Sequence, residues 1–415
     1  MSTASRKAAV SLVAALSLGA LAACGNSDDS STAGGTAGGD GGKTAPAKNG
    51  ASRISVTLTS GADGDVCTPS ATTVPAGPVT FTVKNESATG LTEFEVLQDQ
   101  RIVGEKESLA PGLPASSITL TLGGGTYQLY CPGAAKETID LTVTGEASAS
   151  PTGSAATLLA RGAAQYATYA TTQVKGMVTA VQKLQQDVDA GDVKAAQKQY
   201  GIARPFYEKI ESDVAGFVLP GSKPTDNHGN LDYLVDMRAS NLDPAVGWHG
   251  FHAVERDIFG AQKITPDTKK LAAELTANVQ KLAELSQGLT YKPEDLANGA
   301  AGLLEEVQAN KISGEEEKYS HIDLVDFASN VEGAQQAFAY LKPGLTELDA
   351  ALTGTIGKRF DAVNAMLDTY RDPQEIGGYR RYTPQLKASD ANKLSQTVQA
   401  LQDSLANLAA KVATA

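Results

Sequence analysis

The 415-residue sequence predicts a multidomain chain, an N-terminal β-sandwich followed by an all-α helical bundle. Three observations carry that expectation. Apolar and polar residues alternate with period two across 53–145, as in half-buried strands, and with a helical period from residue 156 to the end. A short Pro/Ser/Gly stretch at 147–154 separates the two patterns. The length exceeds that of one ordinary domain.

The first residues read as an export signal. Arg6 and Lys7 precede a short apolar run at 8–20, which ends in Leu21-Ala22-Ala23-Cys24. That run is too short for a membrane span. Small residues before a cysteine look like a bacterial lipobox, so 1–24 is expected to be a lipoprotein signal peptide with Cys24 as the lipidated residue. Residues 25–52, rich in Gly, Ser, Asp, Thr and Ala, have little to bury and are expected to form a flexible tether.

Four alternating runs, starting at Ile54, Val79, Ile118 and Ile139, are divided by turn residues such as Pro75-Ala76-Gly77-Pro78 and Gly123-Gly124-Gly125. Short strands at this spacing predict a sandwich over 53–145. Its segments 74–85, 109–112 and 125–133 resemble a cupredoxin-like domain. A blue-copper centre takes two His, one Cys and usually a Met. This stretch has neither His nor Met, so such a centre cannot form. Cys67 and Cys131 remain. They are readable as a disulfide of an exported protein, or as part of a metal site with Glu93, Glu95 or Glu105 supplying oxygen.

After a linker at 146–155, helices are expected at 156–190, 192–216, 243–259, 266–287, 293–311, 321–354, 356–371 and 386–413, with breaks at Pro and Gly. Long amphipathic helices on short loops predict an antiparallel bundle. The segment 220–242 lacks a helical pattern and reads as a loop over a site.

The richest stretch is 247–259, Gly-Trp-His-Gly-Phe-His-Ala-Val-Glu-Arg-Asp-Ile-Phe, which holds two of four histidines and the only tryptophan. On a helix His252 and Glu255 project side by side. They can grip one transition metal or form a plain hydrogen bond on a solvated face. Glu208 and Glu211 repeat the i, i+3 spacing, and Arg204–Glu208 also reads as a surface pair. Ser320 and Asp323 read as a capping box that puts His321 in a first helical turn, where the dipole favours neutral imidazole. His228 reads as an exposed loop residue.

Segments 203–211, 247–255, 311–327 and 330–338 together resemble the EfeO/EfeM family of iron-uptake lipoproteins. The order, a cupredoxin-like domain and then an imelysin-like helical domain at 156–415, is similar to the EfeO type. The resemblance implies an iron-binding component held at the outer face of the cytoplasmic membrane and delivering iron, Fe2+ or Fe3+, to a membrane permease. A peroxidase-type protein is an implied further partner. His252 and Glu255 would be the metal site, with Glu208, Glu211, His321 and Asp323 completing it and zinc acting as a surrogate ion. The first domain would hold copper or a second iron at Cys67, Glu95, Glu105 and Cys131. Thr68 and Ser70 stand where the family pattern offers Glu and Met. The alternative is an envelope zinc metallopeptidase of imelysin type, but no His-Glu-x-x-His stretch is present, so no enzyme is expected. A net charge of −12 excludes nucleic acid and anionic membrane surfaces as partners, leaving the lipid anchor as the only membrane contact.

Overall fold

The computed structural model describes residues 44–45, 47–48, 50–99, 101–146 and 152–415. The signal at 1–24, Cys24 and most of the tether lie outside the described residues, as does 147–151 of the linker. The end of the expected tether is not free chain. Thr44 bridges Thr73, and β1 (Ala47–Lys48) pairs with β2 (Ala51–Gly61).

Among the described residues the sandwich has ten strands, β1, β2, β3 (Gly64–Pro69), β4 (Thr73–Pro75), β5 (Gly77–Asn85), β6 (Phe94–Gln98), β7 (Arg101–Lys106), β8 (Ser116–Leu122), β9 (Gly125–Tyr130) and β10 (Thr138–Thr144), of which β2, β5, β8 and β10 are the four expected runs. One sheet runs β1-β2-β5-β8 with β3 on β2, and the other β4-β10-β9-β6-β7. Their inner faces share one core, in which the Phe81 and Phe94 rings lie 5.7 Å apart. Successive strand residues face opposite sides. Phe94 and Val96 point into that core, so Glu95 points out, level with Glu105 on β7 and Tyr130 on β9.

The helical lobe comprises α1 (Ser154–Asp189), α2 (Val193–Glu208), α3 (Glu211–Val214), α4 (Leu231–Asp236), α5 (Gly250–Glu255), α6 (Pro266–Leu285), α7 (Pro293–Glu306), α8 (Asp323–Asp368), α9 (Pro384–Leu405) and α10 (Leu408–Ala413). Its apolar faces form one continuous core. Two expectations shift here. The segment 220–242 contains α4, whose start is capped by the Asn230 side chain accepting the Asp232 and Tyr233 N–H groups. Pro343 does not end a helix. The break in α8 comes at Asp349, which leaves helical geometry and caps the next turn by accepting the Leu352 N–H at 2.9 Å. Gly344 presses α8 against α1 so closely that a Cβ there would lie 2.6 Å from Leu159. Packing outweighs the missing N–H.

The described residues form one compact unit. Lys106 Nζ meets Glu305 at 2.7 Å, Asn298 donates to the Thr119 carbonyl at 2.6 Å, and Arg101 lies over the Phe217 ring at 4.5 Å. The β7 and β8 edges of the sandwich are thereby applied to the helical lobe. Among the described residues no helix is long and apolar enough to cross a membrane.

Candidate metal centre

His252 owes its position to a glycine. Gly250 opens α5 at φ +69°, and a Cβ there would sit 2.1 Å from the Val235 carbonyl oxygen. Alanine at 250 is therefore strained twice, by conformation and by contact. Gly250→Ala is expected to lower stability by about 2 kcal/mol or more in urea unfolding; a variant as stable as the parent would contradict this packing.

From α5, His252 and Glu255 share one face as expected. His252 Nδ1 lies 3.2 Å from Glu255 Oε2, while Glu255 Oε1 accepts the backbone N–H groups of Tyr319 and Ser320, both at 2.7 Å. Glu255 is thus committed on both oxygens. It fixes the imidazole through Nδ1 and leaves Nε2 aimed the other way. Nε2 lies 3.4 Å from Glu316 Oε1 and 3.6 Å from Asp236 Oδ1 but makes no hydrogen bond. Burial alone would lower the His252 pKa; the Glu255 and Glu316 carboxylates outweigh it and raise it to about 9. Directly after Glu255 the helix widens into a π-turn at Arg256–Gly260, and α7 does the same at Val307–Lys311. Such turns recur at functional sites because they re-aim the side chains beside them.

Arg204, expected at the surface, is fully buried and so is Glu208. Its guanidinium bonds Glu208 and Asp236 and lies 3.1 Å from Glu316, 3.2 Å from Glu317 and 3.2 Å from Asp326. Lys311 Nζ, equally buried, reaches Glu208 at 3.1 Å and Glu316 at 3.2 Å. Eight carboxylates (Glu208, Glu211, Asp236, Glu255, Glu316, Glu317, Asp323 and Asp326) are buried together against Arg204, Lys311 and one imidazole, with Arg238 3.5 Å from Glu316 at the edge. A buried charge without a partner is costly and takes up a proton instead. Burial accordingly pushes Asp236 and Asp323 up to about 7, and Glu211, Glu317 and Asp326 well above the ordinary carboxylate range. Glu316 goes the other way. Burial would raise it, but Lys311, Arg238 and His252 hold it well below that range. The cage is short of positive charge.

Among the described residues three groups can each offer three donor atoms within 4.8 Å of one another: Asp236, His252 and Glu316; His252, Glu255 and Glu317; Glu208, Glu316 and Asp326. The first and third hold atoms without a hydrogen bond, although Glu208 Oε2 faces Lys311 at 3.1 Å and Glu316 Oε2 faces Arg238 at 3.5 Å. His252 Nε2, Asp236 Oδ2, Glu316 Oε2, Glu208 Oε2 and Asp326 Oδ1 are all buried without a hydrogen bond. One nitrogen with several carboxylate oxygens is a donor set suited to iron and similar borderline-to-hard ions.

The other expected ligands lie around these groups. Glu211 stands 4.0 Å from Lys311 and 3.4 Å from Asn330 Nδ2. Asp323 accepts the Glu317 N–H at 3.2 Å. His321 joins none of the three groups. It precedes α8 with φ +59°, rather than sitting in a first turn. The capping box does not form either: Ile322 is the cap residue, and the Ser320 hydroxyl donates to Glu317 instead. His228 is exposed and faces Asp226 at 3.0 Å. The residues not anticipated are Asp236, Glu316, Glu317, Asp326 and Lys311. Glu316 and Glu317 lie in the segment 311–327 that carries the resemblance, one residue before Tyr319-Ser320, but only His321 and Asp323 of that segment are expected as ligands. Asp236 sat in the segment without a pattern.

The grouping expected in the first domain comes apart. Cys67 and Cys131 are joined in a disulfide with Cα atoms 6.4 Å apart, inside the sandwich core. A disulfide sulfur is not a thiolate, so neither cysteine is a copper ligand. Glu95 and Glu105 lie on the opposite face of the sheet.

The helical lobe matches the family model named Imelysin over residues 162–411, and the model of a cupredoxin-like domain matches 36–142. The iron uptake system component EfeO of Yersinia pestis is 36% identical over 344 residues, covering 82% of this chain and 87% of its own. This chain belongs to the EfeO family. An EfeO from Escherichia coli O1:K1 is 33% identical over 346 residues, with 82% and 88% covered. The two family models match this EfeO-family chain in the order described above, sandwich and then helices.

Proposed function

We propose that this protein is the extracytoplasmic iron-binding component of a bacterial iron uptake system. It takes up iron in the cage around His252 and hands it to a membrane permease, tethered through a lipid on Cys24. The observation that carries the reading is the convergence of His252 Nε2, Asp236 and Glu316, three buried donors from separate segments with atoms left unbonded. His252 and those two carboxylates would bind iron directly. Glu255, spent on Nδ1 and two backbone N–H groups, would orient the imidazole rather than bind. Glu208 and Asp326 would hold the ion from the Arg204 side. The family name of the EfeO relatives supports iron as the cargo.

The peptidase alternative needs an open coordination position and room for a peptide beside the metal. Every member of the cage is buried, which favours a carrier over a hydrolase. The test is calorimetric titration of the full chain with Fe2+ under anaerobic conditions and with Fe3+ as a weak chelate. Binding of at least one valence, retained on desalting, is expected. Absence of binding for both would overturn the reading.

A further inference from the structure

A cavity of about 570 Å³ lies between β7 and β8 on one side and α3 and α7 on the other. Each of these strands is the outermost of its sheet, so the cavity sits at the open edge of the sandwich, roofed by the helical lobe. It shares no residue with the three groups of the cage. Val103, Leu120 and Leu122 give it an apolar wall, and the helical lobe contributes Ser212, Asp213 and Asp295. Arg101 opens β7 and borders the cavity. Its guanidinium lies over the Phe217 ring at 4.5 Å, and Nε makes no hydrogen bond. Lys106 is taken by Glu305, and Lys292 Nζ donates to the Thr121 carbonyl at 2.5 Å. Among the described residues Arg101 is therefore the cation of this cavity that no carboxylate or carbonyl holds.

The acids of the cavity are placed but not paired with it. Asp213 accepts the Tyr166 hydroxyl at 2.7 Å, and Asp295 accepts the Lys292 backbone N–H at 2.8 Å. Burial pushes Asp213 up to about 7 and Asp295 up to about 6, although the Arg101 charge pulls both down. Burial likewise lowers Arg101 against the pull of the same two carboxylates. Glu105, which also borders the cavity, is pushed up to about 8 by burial and is mostly protonated at neutral pH. A guanidinium and two carboxylates thus act on one another across a gap without forming an ion pair. Charges held apart in partly buried surroundings are costly, and a molecule carrying the complementary charges relieves that cost.

We propose that this cavity is a binding site for a small organic acid that carries an amino or hydroxyl group beside its carboxylate. The carboxylate sits on Arg101, whose planar fork matches it. The ammonium or hydroxyl donates to Asp213 and Asp295, and an aliphatic body lies against Val103, Leu120 and Leu122. A cavity of this size, with an apolar wall and a few placed polar groups, has the make-up of a small-molecule site. Its occupant touches both lobes and so strengthens their contact. The site stands whether or not the cage takes iron.

The test is calorimetric titration of the full chain with molecules of one carbon skeleton: L-leucine, 2-hydroxy-4-methylpentanoate, 4-methylpentanoate and 3-methylbutylamine. Leucine or the hydroxy acid is expected to bind with a Kd below about 1 mM, at least about tenfold more tightly than 4-methylpentanoate, and the amine not to bind. Which of the first two binds more tightly tells an amino acid from a hydroxy acid. The better ligand should also raise the melting temperature. Arg101→Gln is expected to weaken it by about tenfold or more. Gly302→Leu closes the cavity without touching Arg101: a Cβ at 302 meets only Ser212 Cβ, at 4.0 Å, so the larger side chain grows into the space. That variant should keep its melting temperature and lose binding. Absence of binding by both leucine and the hydroxy acid, or unchanged binding in either folded variant, would overturn the proposal. So would 4-methylpentanoate binding as tightly as leucine and the hydroxy acid, since Asp213 and Asp295 would then play no part.

Discussion

Replacing Arg204 by methionine is expected to destabilise the helical lobe by about 3–5 kcal/mol at pH 8, the cost of breaking a buried ion network from one side. Arg204 is fully buried and contacts five carboxylates from four separate segments. Methionine matches much of its length but leaves those oxygens with Lys311 as the remaining buried permanent cation near them. The sign of the pH dependence follows. Asp236, already raised to about 7 by burial although Arg204 pulls it down, would rise further without that guanidinium. A carboxyl whose folded pKa lies above its unfolded value makes the fold less stable as pH rises through that window and more stable as pH falls. The penalty should therefore shrink from pH 8 to pH 6. Urea unfolding in the presence of a chelator measures both effects. An Arg204→Met variant as stable as the parent at pH 8 would mean that the cage carries little negative charge.

His252→Ala is expected to weaken iron binding by more than about 100-fold, beyond about 2.7 kcal/mol. Removing a group that merely orients a ligand costs roughly 10–100-fold, and that smaller loss is the expectation for Glu255→Gln. The order of the two separates their roles. His252 presents an unbonded Nε2 to Asp236 and Glu316, whereas both oxygens of Glu255 are engaged elsewhere. Calorimetric titration of the three proteins checks it. If Glu255→Gln were the more damaging change, Glu255 would be a direct ligand and the geometry of the ion would need redrawing.

Much of the architecture was legible because it rests on periodicity. The change from alternating to helical pattern near 150 separates β10 from α1, and Gly250-x-His252-x-x-Glu255 announced its own helix face. The cage was only half legible. His252, Glu255 and Glu208 stand on helices, where spacing reveals a shared face. Glu316 and Glu317 stand in a turn region, where spacing says nothing about direction. Asp236 lies on a helix of six residues, too short for a period to show. Arg204 was misjudged because an i, i+4 Arg–Glu pair looks the same in sequence whether it is solvated or sealed under α8. His321 failed for a local reason: a residue at positive φ leaves the helical register that placed it. Glu95 and Cys131 were grouped by sequence resemblance, and strand pleating sets them on opposite faces.

The most direct measurement is anomalous diffraction at the iron edge from crystals of the full chain loaded with iron. A single strong peak within bonding distance of His252 Nε2, with oxygens of Asp236 or Glu316 around it, is the expected result. Iron found only away from that nitrogen, with His252 still held between Glu255 and Glu316 as an imidazolium, would contradict the proposed role of the cage.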